Sequence, residues 1–255
     1  MILIGTSGYN YPHWWNGVFY PTHLSQREWL EFYTDYLDTV ELNVSFYRLP
    51  TREVFRGWYE RTPEKFSFAL KGSRFITHTK RLKECREPLS LFFDRASPLK
   101  EKLGAVLWQL PPRFQFQKER LEEFCVLLST LRRSKSLRHA FEFRDESWFC
   151  KEALQVLEEF DFAFCIAHGS GLPYLEAVTS DYVYLRLHGG ETLYGSSYAD
   201  RELSQWADKI LGWKKRRKTV FVYFNNDAYG FAVKNALALR KMLSSASSRV
   251  GSPLR

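Results

Sequence analysis

The sequence predicts a single-domain α/β protein, a (β/α)8 barrel of the TIM type. Three observations carry the prediction: eight short runs rich in β-branched and aromatic residues, amphipathic stretches between them, and a 255-residue length that suits such a barrel. A doubly wound open sheet is the other architecture this alternation permits.

Taken in order, Ile2 to Gly5 is the first run, and an aromatic- and Pro-rich connection from Thr6 to Ser25 follows it. Gln26 to Tyr36 has helical spacing and feeds the second run, Thr39 to Asn43. The third, Phe66 to Lys71, leads into a basic connection from Gly72 to Lys102. Ala105 to Gln109 is the fourth, with helical Lys118 to Leu131 behind it. Ala140 to Arg144 precedes helical Ala153 to Phe160, and Phe162 to Ala167 is the sixth run. Tyr182 to His188, helical Arg201 to Trp213, the eighth run Val220 to Asn225 and helical Ala232 to Met242 complete the pattern. No linker or fixed-period repeat divides it, so residues 1–243 are expected to form one domain. The Ser, Gly and Pro content of residues 244–255 suggests a disordered tail.

With 45% apolar and 26% charged residues the chain is neither disordered nor fibrous. Its longest apolar runs fall far short of the ~20 residues a membrane helix needs. The first residues lack a basic leader segment, which suggests a cytoplasmic protein with no membrane partner. Cys85, Cys125, Cys150 and Cys165 are widely spaced, without a CxxC pair, and read as buried free thiols. The net charge of +8 is compatible with an anionic partner. Oligomeric state is not legible.

Alternate side chains of a strand face opposite ways. Val40, Leu42 and Val44, Phe66, Phe68 and Leu70, Phe141 and Phe143, and Val183, Leu185 and Leu187 form sets expected to pack beneath helices. The opposite sets should point into the barrel: Thr39, Glu41, Asn43; Ser67, Ala69, Lys71; Ala105, Leu107, Gln109; Ala140, Glu142, Arg144; Tyr184, Arg186, His188; and Phe221, Tyr223, Asn225. Their polar members cluster toward the C-terminal strand ends, where barrels bind ligands. Five of them, Glu41, Lys71, Glu142, Arg144 and Arg186, are charged, and burying them is costly unless they pair with each other or with a ligand. A self-satisfied ion network is one reading. The count leaves one surplus cation, however, and Arg74, His78, Lys80, Arg81, Lys83 and Arg86 follow the third run, so a phosphate or carboxylate ligand also fits.

Other features have plain structural readings. Arg132 to Arg138 and Lys214 to Lys218 follow helices and precede strands, placing them at the opposite face, where a role answering helix dipoles is favoured over nucleic-acid binding. Thr6-Ser7-Gly8 serves a phosphate or is only a turn; Tyr9, Tyr11, Trp14 and Trp15 stack on a ring or form an aromatic lid. Gln109-Leu110-Pro111-Pro112 fixes a loop, with Gln109 reaching inward. Asn225-Asn226-Asp227 binds a ligand, caps a helix, or both, and capping suffices for Asp227. No nucleophile elbow surrounds Ser7, Ser45 or Ser147. A divalent metal on Glu41, Glu142, His78, His168 and His188 is conceivable, but no short ligand motif supports it, and no cofactor is expected.

Gly5-Thr6-Ser7-Gly8-Tyr9, Val40-Glu41-Leu42-Asn43, Phe68-Ala69-Leu70-Lys71, Glu142-Phe143-Arg144 with Ser147-Trp148, Arg186-Leu187-His188-Gly189 and Tyr223-Phe224-Asn225-Asn226-Asp227 occur in an order that resembles the YecE-like proteins, domain of unknown function 72. The resemblance spans nearly the whole chain. It implies a (β/α)8 barrel and no settled reaction. His168 stands where the family usually carries an Asp, and the cysteine spacing of relatives with an iron–sulfur cluster is missing.

The functional expectation is an acid/base enzyme of hydrolase or lyase type acting on a small or polymeric anionic substrate, phosphorylated or carboxylated. Glu41 and Glu142 are the candidate acid/base pair, facing each other across the barrel with room for substrate between; Lys71 and His188 are further catalytic candidates. Ser7, Tyr9, Asn43, Arg74, His78, Gln109, Arg144, Arg186, Tyr223 and Asn225 are the candidate substrate-binding residues. The competing class is a non-catalytic nucleic-acid-binding module using the basic loop and the aromatics.

Overall fold

Eight parallel strands hydrogen-bond in sequence order and close on themselves in the computed structural model. Residues 1–250 are described, with side chains through residue 246. The strands are β1 (Ile2–Thr6), β2 (Thr39–Leu42), β3 (Ser67–Lys71), β4 (Leu103–Gln109), β5 (Arg138–Glu142), β6 (Ala163–His168), β7 (Tyr182–Leu187) and β8 (Thr219–Phe224). Closure is made by five β1–β8 pairs, from Ile2 opposite Val220 to Thr6 opposite Phe224.

The helices are α1 (Trp29–Tyr36), α2 (Val44–Tyr47), α3 (Arg52–Glu60), α4 (Arg86–Ala96), α5 (Lys118–Thr130), α6 (Lys151–Glu159), α7 (Asp200–Lys215) and α8 (Phe231–Val250). The basic stretch from Gly72 to Lys102 is therefore no simple connection. It holds a π-helical turn, Phe75–Thr79, and the whole of α4, whose Leu89, Phe92, Phe93 and Ala96 are buried. Val44 does not extend the outer face of β2, because the chain turns into α2 there and leaves it exposed. Helix α8 continues through residues 244–250, where a disordered tail was expected; residues 251–255 lie outside the described residues.

Two cores follow from the strand alternation. The outer one, between barrel and helices, takes Val40, Leu42, Phe68, Leu70, Phe141, Phe143, Val183, Leu185 and Leu187. The inner one is lopsided. Tyr182, Tyr184, Phe221 and Tyr223 of β7 and β8 fill it from one side, and the mostly small Ala69, Ala105, Ala140, Ala163 and Cys165 of β3 to β6 face them, with Leu3 and Leu107 completing the layer. Small residues opposite large ones keep the packing dense and leave room above for one long side chain from β7, Arg186. Three cysteines are buried, Cys150 is half-buried, and all four are free.

Candidate active site at the barrel mouth

Arg186 reaches across the barrel and ties two strands to β7. Its Nη2 lies 2.7 Å from Glu41 Oε1 and its Nη1 2.6 Å from Glu142 Oε2. Ser7 Oγ donates to Glu41 Oε1 at 2.7 Å, and the Tyr184 hydroxyl rises from the layer below to Glu41 Oε2 at 2.7 Å. Glu142 Oε1 accepts from Arg144, and the Cys165 thiol stands 3.9 Å from Oε2. Glu41, Glu142 and Arg186 are at most 1% exposed. Two carboxylates and two guanidiniums thus neutralise one another, with Arg186 Nε left buried and without a hydrogen-bond partner.

The surplus cation is Lys71. Its Nζ sits 4.2 Å from the centre of the Phe46 ring, and no carboxylate is within ion-pair reach of it among the described residues. Burial first, and then the Arg186 charge, push its pKa down to about 8. Burial alone would raise the Glu142 carboxyl, but Arg144 and Arg186 outweigh it and hold this group well below the usual carboxylate range. His188, fully buried, is pushed well below its ordinary value by desolvation and then by Arg186. Asn225 Nδ2 lies 3.1 Å from His188 Nδ1; with the amide donating, the ring proton sits on Nε2, a buried atom without a hydrogen-bond partner, 4.0 Å from Glu142 Oε2. His78, edge-on to Phe46, is lowered to about 4 by burial and by Lys71.

The comparisons with known proteins agree with this architecture. The family described as "Protein of unknown function DUF72" matches residues 3–254. The chain belongs to the DUF72 family. UPF0759 protein YunF of Bacillus subtilis is 27% identical, over 95% of each chain. UPF0759 protein YecE of Escherichia coli K12 is 33% identical over 114 residues, 45% of this chain and 39% of YecE. The crystal structure of a DUF72 family protein from Thermotoga maritima superposes with a TM-score of 0.83 at 32% identity, covering 96% of this chain and 99% of that one.

Not every residue singled out from sequence lines the mouth of this DUF72 barrel. Ser7, Glu41, Glu142, Arg144, Arg186, His188 and Asn225 are joined by the contacts above, and Asn43 Nδ2 donates to the Ser7 carbonyl at 3.2 Å, leaving its own Oδ1 buried and unpartnered. Gln109 ends β4, and Arg74 is exposed beside the π-helical turn. Tyr9 points away: its hydroxyl accepts from Trp58 of α3, and its ring packs against the outer core. Tyr223 lies in the layer below, bonded to Thr39 at 2.8 Å. The space expected between Glu41 and Glu142 is filled by Arg186. His168 faces outward to Tyr198 and Trp206, and among the described residues no three His, Cys, Asp or Glu side chains group as ligands for a cation.

In Thr6-Ser7-Gly8 the chain leaves β1 at Thr6 and bends at Ser7. The Thr6 and Ser7 amides are taken by Tyr33 and Phe224, and Gly8 has φ +115, in the left-handed region open to glycine. Asp227 caps nothing with its side chain; it receives the Trp14 indole at 2.6 Å and His13 at 2.9 Å, fastening the loop after β1 to the loop after β8. Sequence reading missed Tyr184 and Phe46 as site residues. Tyr184 was legible as the inward residue two before Arg186, whereas Phe46 lies in a loop-borne helical turn where no strand alternation applies.

The loops around the mouth differ from the rest of the surface in two ways. Exposed aromatic residues among the described residues are Trp15, Tyr47, Phe75, Tyr174, Tyr194 and Tyr229, each on a different loop that follows a strand, and otherwise only Tyr36. Left-handed backbone at non-glycine residues is also concentrated there, at Asn16, Arg81, Leu82, Glu84, Arg113, Tyr194 and Tyr229. Such conformations cost about 1–3 kcal/mol each and gather at functional sites.

Proposed function

We propose that the barrel mouth is the active site of an acid/base enzyme, of hydrolase or lyase type, for a small phosphorylated or carboxylated substrate. The observation that carries this is the charge balance: Glu41, Glu142, Arg144 and Arg186 neutralise one another, and Lys71 is left beside them without a carboxylate. An anion would meet Lys71 and Arg144, whose side chain keeps 10% exposure, with the exposed Arg74 just before the π-helical turn that follows β3. Proton transfer falls to Lys71, because its pKa of about 8 lies near neutrality while Glu142 is held ionised. Glu41 and Glu142 act as the seat of Arg186 rather than as the acid and base themselves. Calorimetry with inorganic phosphate tests the site: Lys71→Met should weaken binding by about tenfold or more, and Arg81→Ala with Lys83→Ala much less. Equal affinity in wild type and Lys71→Met, or no binding to wild type, refutes the reading.

The six exposed aromatics on the mouth loops favour a second reading, a surface for single-stranded nucleic acid. Fluorescence anisotropy with a labelled oligothymidylate would then show affinity falling steeply with salt, and falling again in Tyr47→Ala with Phe75→Ala. Absent or salt-insensitive binding excludes it.

A further inference from the structure

We propose that Lys71 is a nucleophile that forms an imine with a small carbonyl compound carrying a carboxylate or phosphate, an assignment that rests on the anion-binding reading of the mouth. Lysine amines become nucleophilic when desolvated beside apolar groups or other cations. Lys71 meets both conditions: it ends β3 facing the barrel interior and lies over the Phe46 ring, and the charges of Arg186 and Arg144 act on it from the neighbouring network. A residual exposure of 9% keeps it within reach of a small molecule entering from the mouth. The groups acting on it are Arg186 and Arg144, which favour the amine, and Glu142 and Glu41, which oppose them. With a pKa of about 8, roughly a quarter of Lys71 is free amine at pH 7.5, some two-hundredfold more than for an ordinary lysine.

The surrounding groups suit the reaction. Arg144 would hold the anionic end, and His188 Nε2–H, buried, without a hydrogen-bond partner and 4.0 Å from Glu142 Oε2, is a donor for the carbonyl oxygen. The amine lone pair adds to the carbonyl carbon, a C–N bond forms, and the C=O π pair moves to oxygen, which takes up a proton as nitrogen releases one. The carbinolamine hydroxyl, protonated from solvent, leaves as water while the nitrogen lone pair closes the C=N bond. Amine and carbonyl give imine and water, with no oxidant or reductant. A protonated imine withdraws electrons from the adjacent bond, the step a lyase needs.

Reductive trapping tests it: the full-length protein is incubated at pH 7.5 with pyruvate, or with dihydroxyacetone phosphate, plus sodium cyanoborohydride, and adducts are mapped by peptide mass spectrometry. Lys71 should label about tenfold or more faster than any exposed lysine, inorganic phosphate should slow that labelling, and Lys71→Arg should remove it. Adducts spread over surface lysines with Lys71 unmodified overturn the proposal, and because this is read in wild type it does not depend on a variant folding. Phosphate calorimetry on the same preparation separates the two claims. Phosphate binding with no Lys71 adduct overturns the imine and leaves the anion site; a Lys71 adduct with no phosphate binding supports the nucleophile and removes the anion site.

Discussion

Replacing Lys71 by Met should stabilise the protein at neutral pH. In the unfolded chain a lysine keeps its proton up to about its ordinary value of 10.5, whereas folded Lys71 releases it at about 8 because burial, Arg186 and Arg144 outweigh Glu142 and Glu41. His78, across the Phe46 ring, is neutral at this pH and does not offset the charge. Between pH 8 and 10.5 the unfolded state binds more protons, so stability rises with pH through that window. Below it, the folded state bears the full penalty of the buried charge, about 3 kcal/mol from the gap between the two values. Methionine has similar length, packs against an aromatic ring and carries no charge. Lys71→Met should therefore gain about 1–3 kcal/mol at pH 7, and its advantage should shrink toward zero by pH 10.5. Urea unfolding of both proteins at several pH values measures this. A variant no more stable than wild type at pH 7, or a difference that stays constant as pH rises, refutes the description of Lys71 as an uncompensated buried cation.

The network itself gives the opposite sign. Glu142→Gln leaves Arg186 and Arg144 without their shared carboxylate and should cost about 3–5 kcal/mol by urea unfolding; a loss under about 1 kcal/mol would show that the ion pairs are not what holds β5 to β7. Because the folded Glu142 carboxyl is held below its ordinary value of 4.5, its stabilisation is present above that pH and is lost as pH falls through the folded value, so acid unfolding of Glu142→Gln should be shallower than that of wild type. A thiol reagent should modify half-buried Cys150 in the native protein and reach Cys85, Cys125 and Cys165 only on unfolding. Native reactivity at Cys165 would mean that the interior beneath Glu142 is open to solvent.

Much of the site was legible because a strand offers only two faces. Once Glu41, Glu142 and Arg186 are read on the polar, inward face, they must converge at the C-terminal rim of any parallel barrel these strands form. Helix α4 was legible too, since Leu89, Phe92, Phe93 and Ala96 have helical spacing, but the charges before them masked it. The sign count likewise announced one surplus cation. What sequence left open was which groups pair and which stay alone. Arg186 bonds to Glu41 145 positions away and to Glu142 44 away, and those distances close only when the barrel does. The same closure places Arg186 between the two glutamates, where space for a substrate was expected, and leaves Lys71 over Phe46. Loop residues such as Tyr9 follow no period, so only the packing of loops onto helices decided that its ring turns toward Trp58 and away from the mouth. Local backbone geometry therefore determined which side of the strand each charge occupies, and tertiary closure determined its partner, because electrostatic compensation depends on distances that sequence separation does not encode.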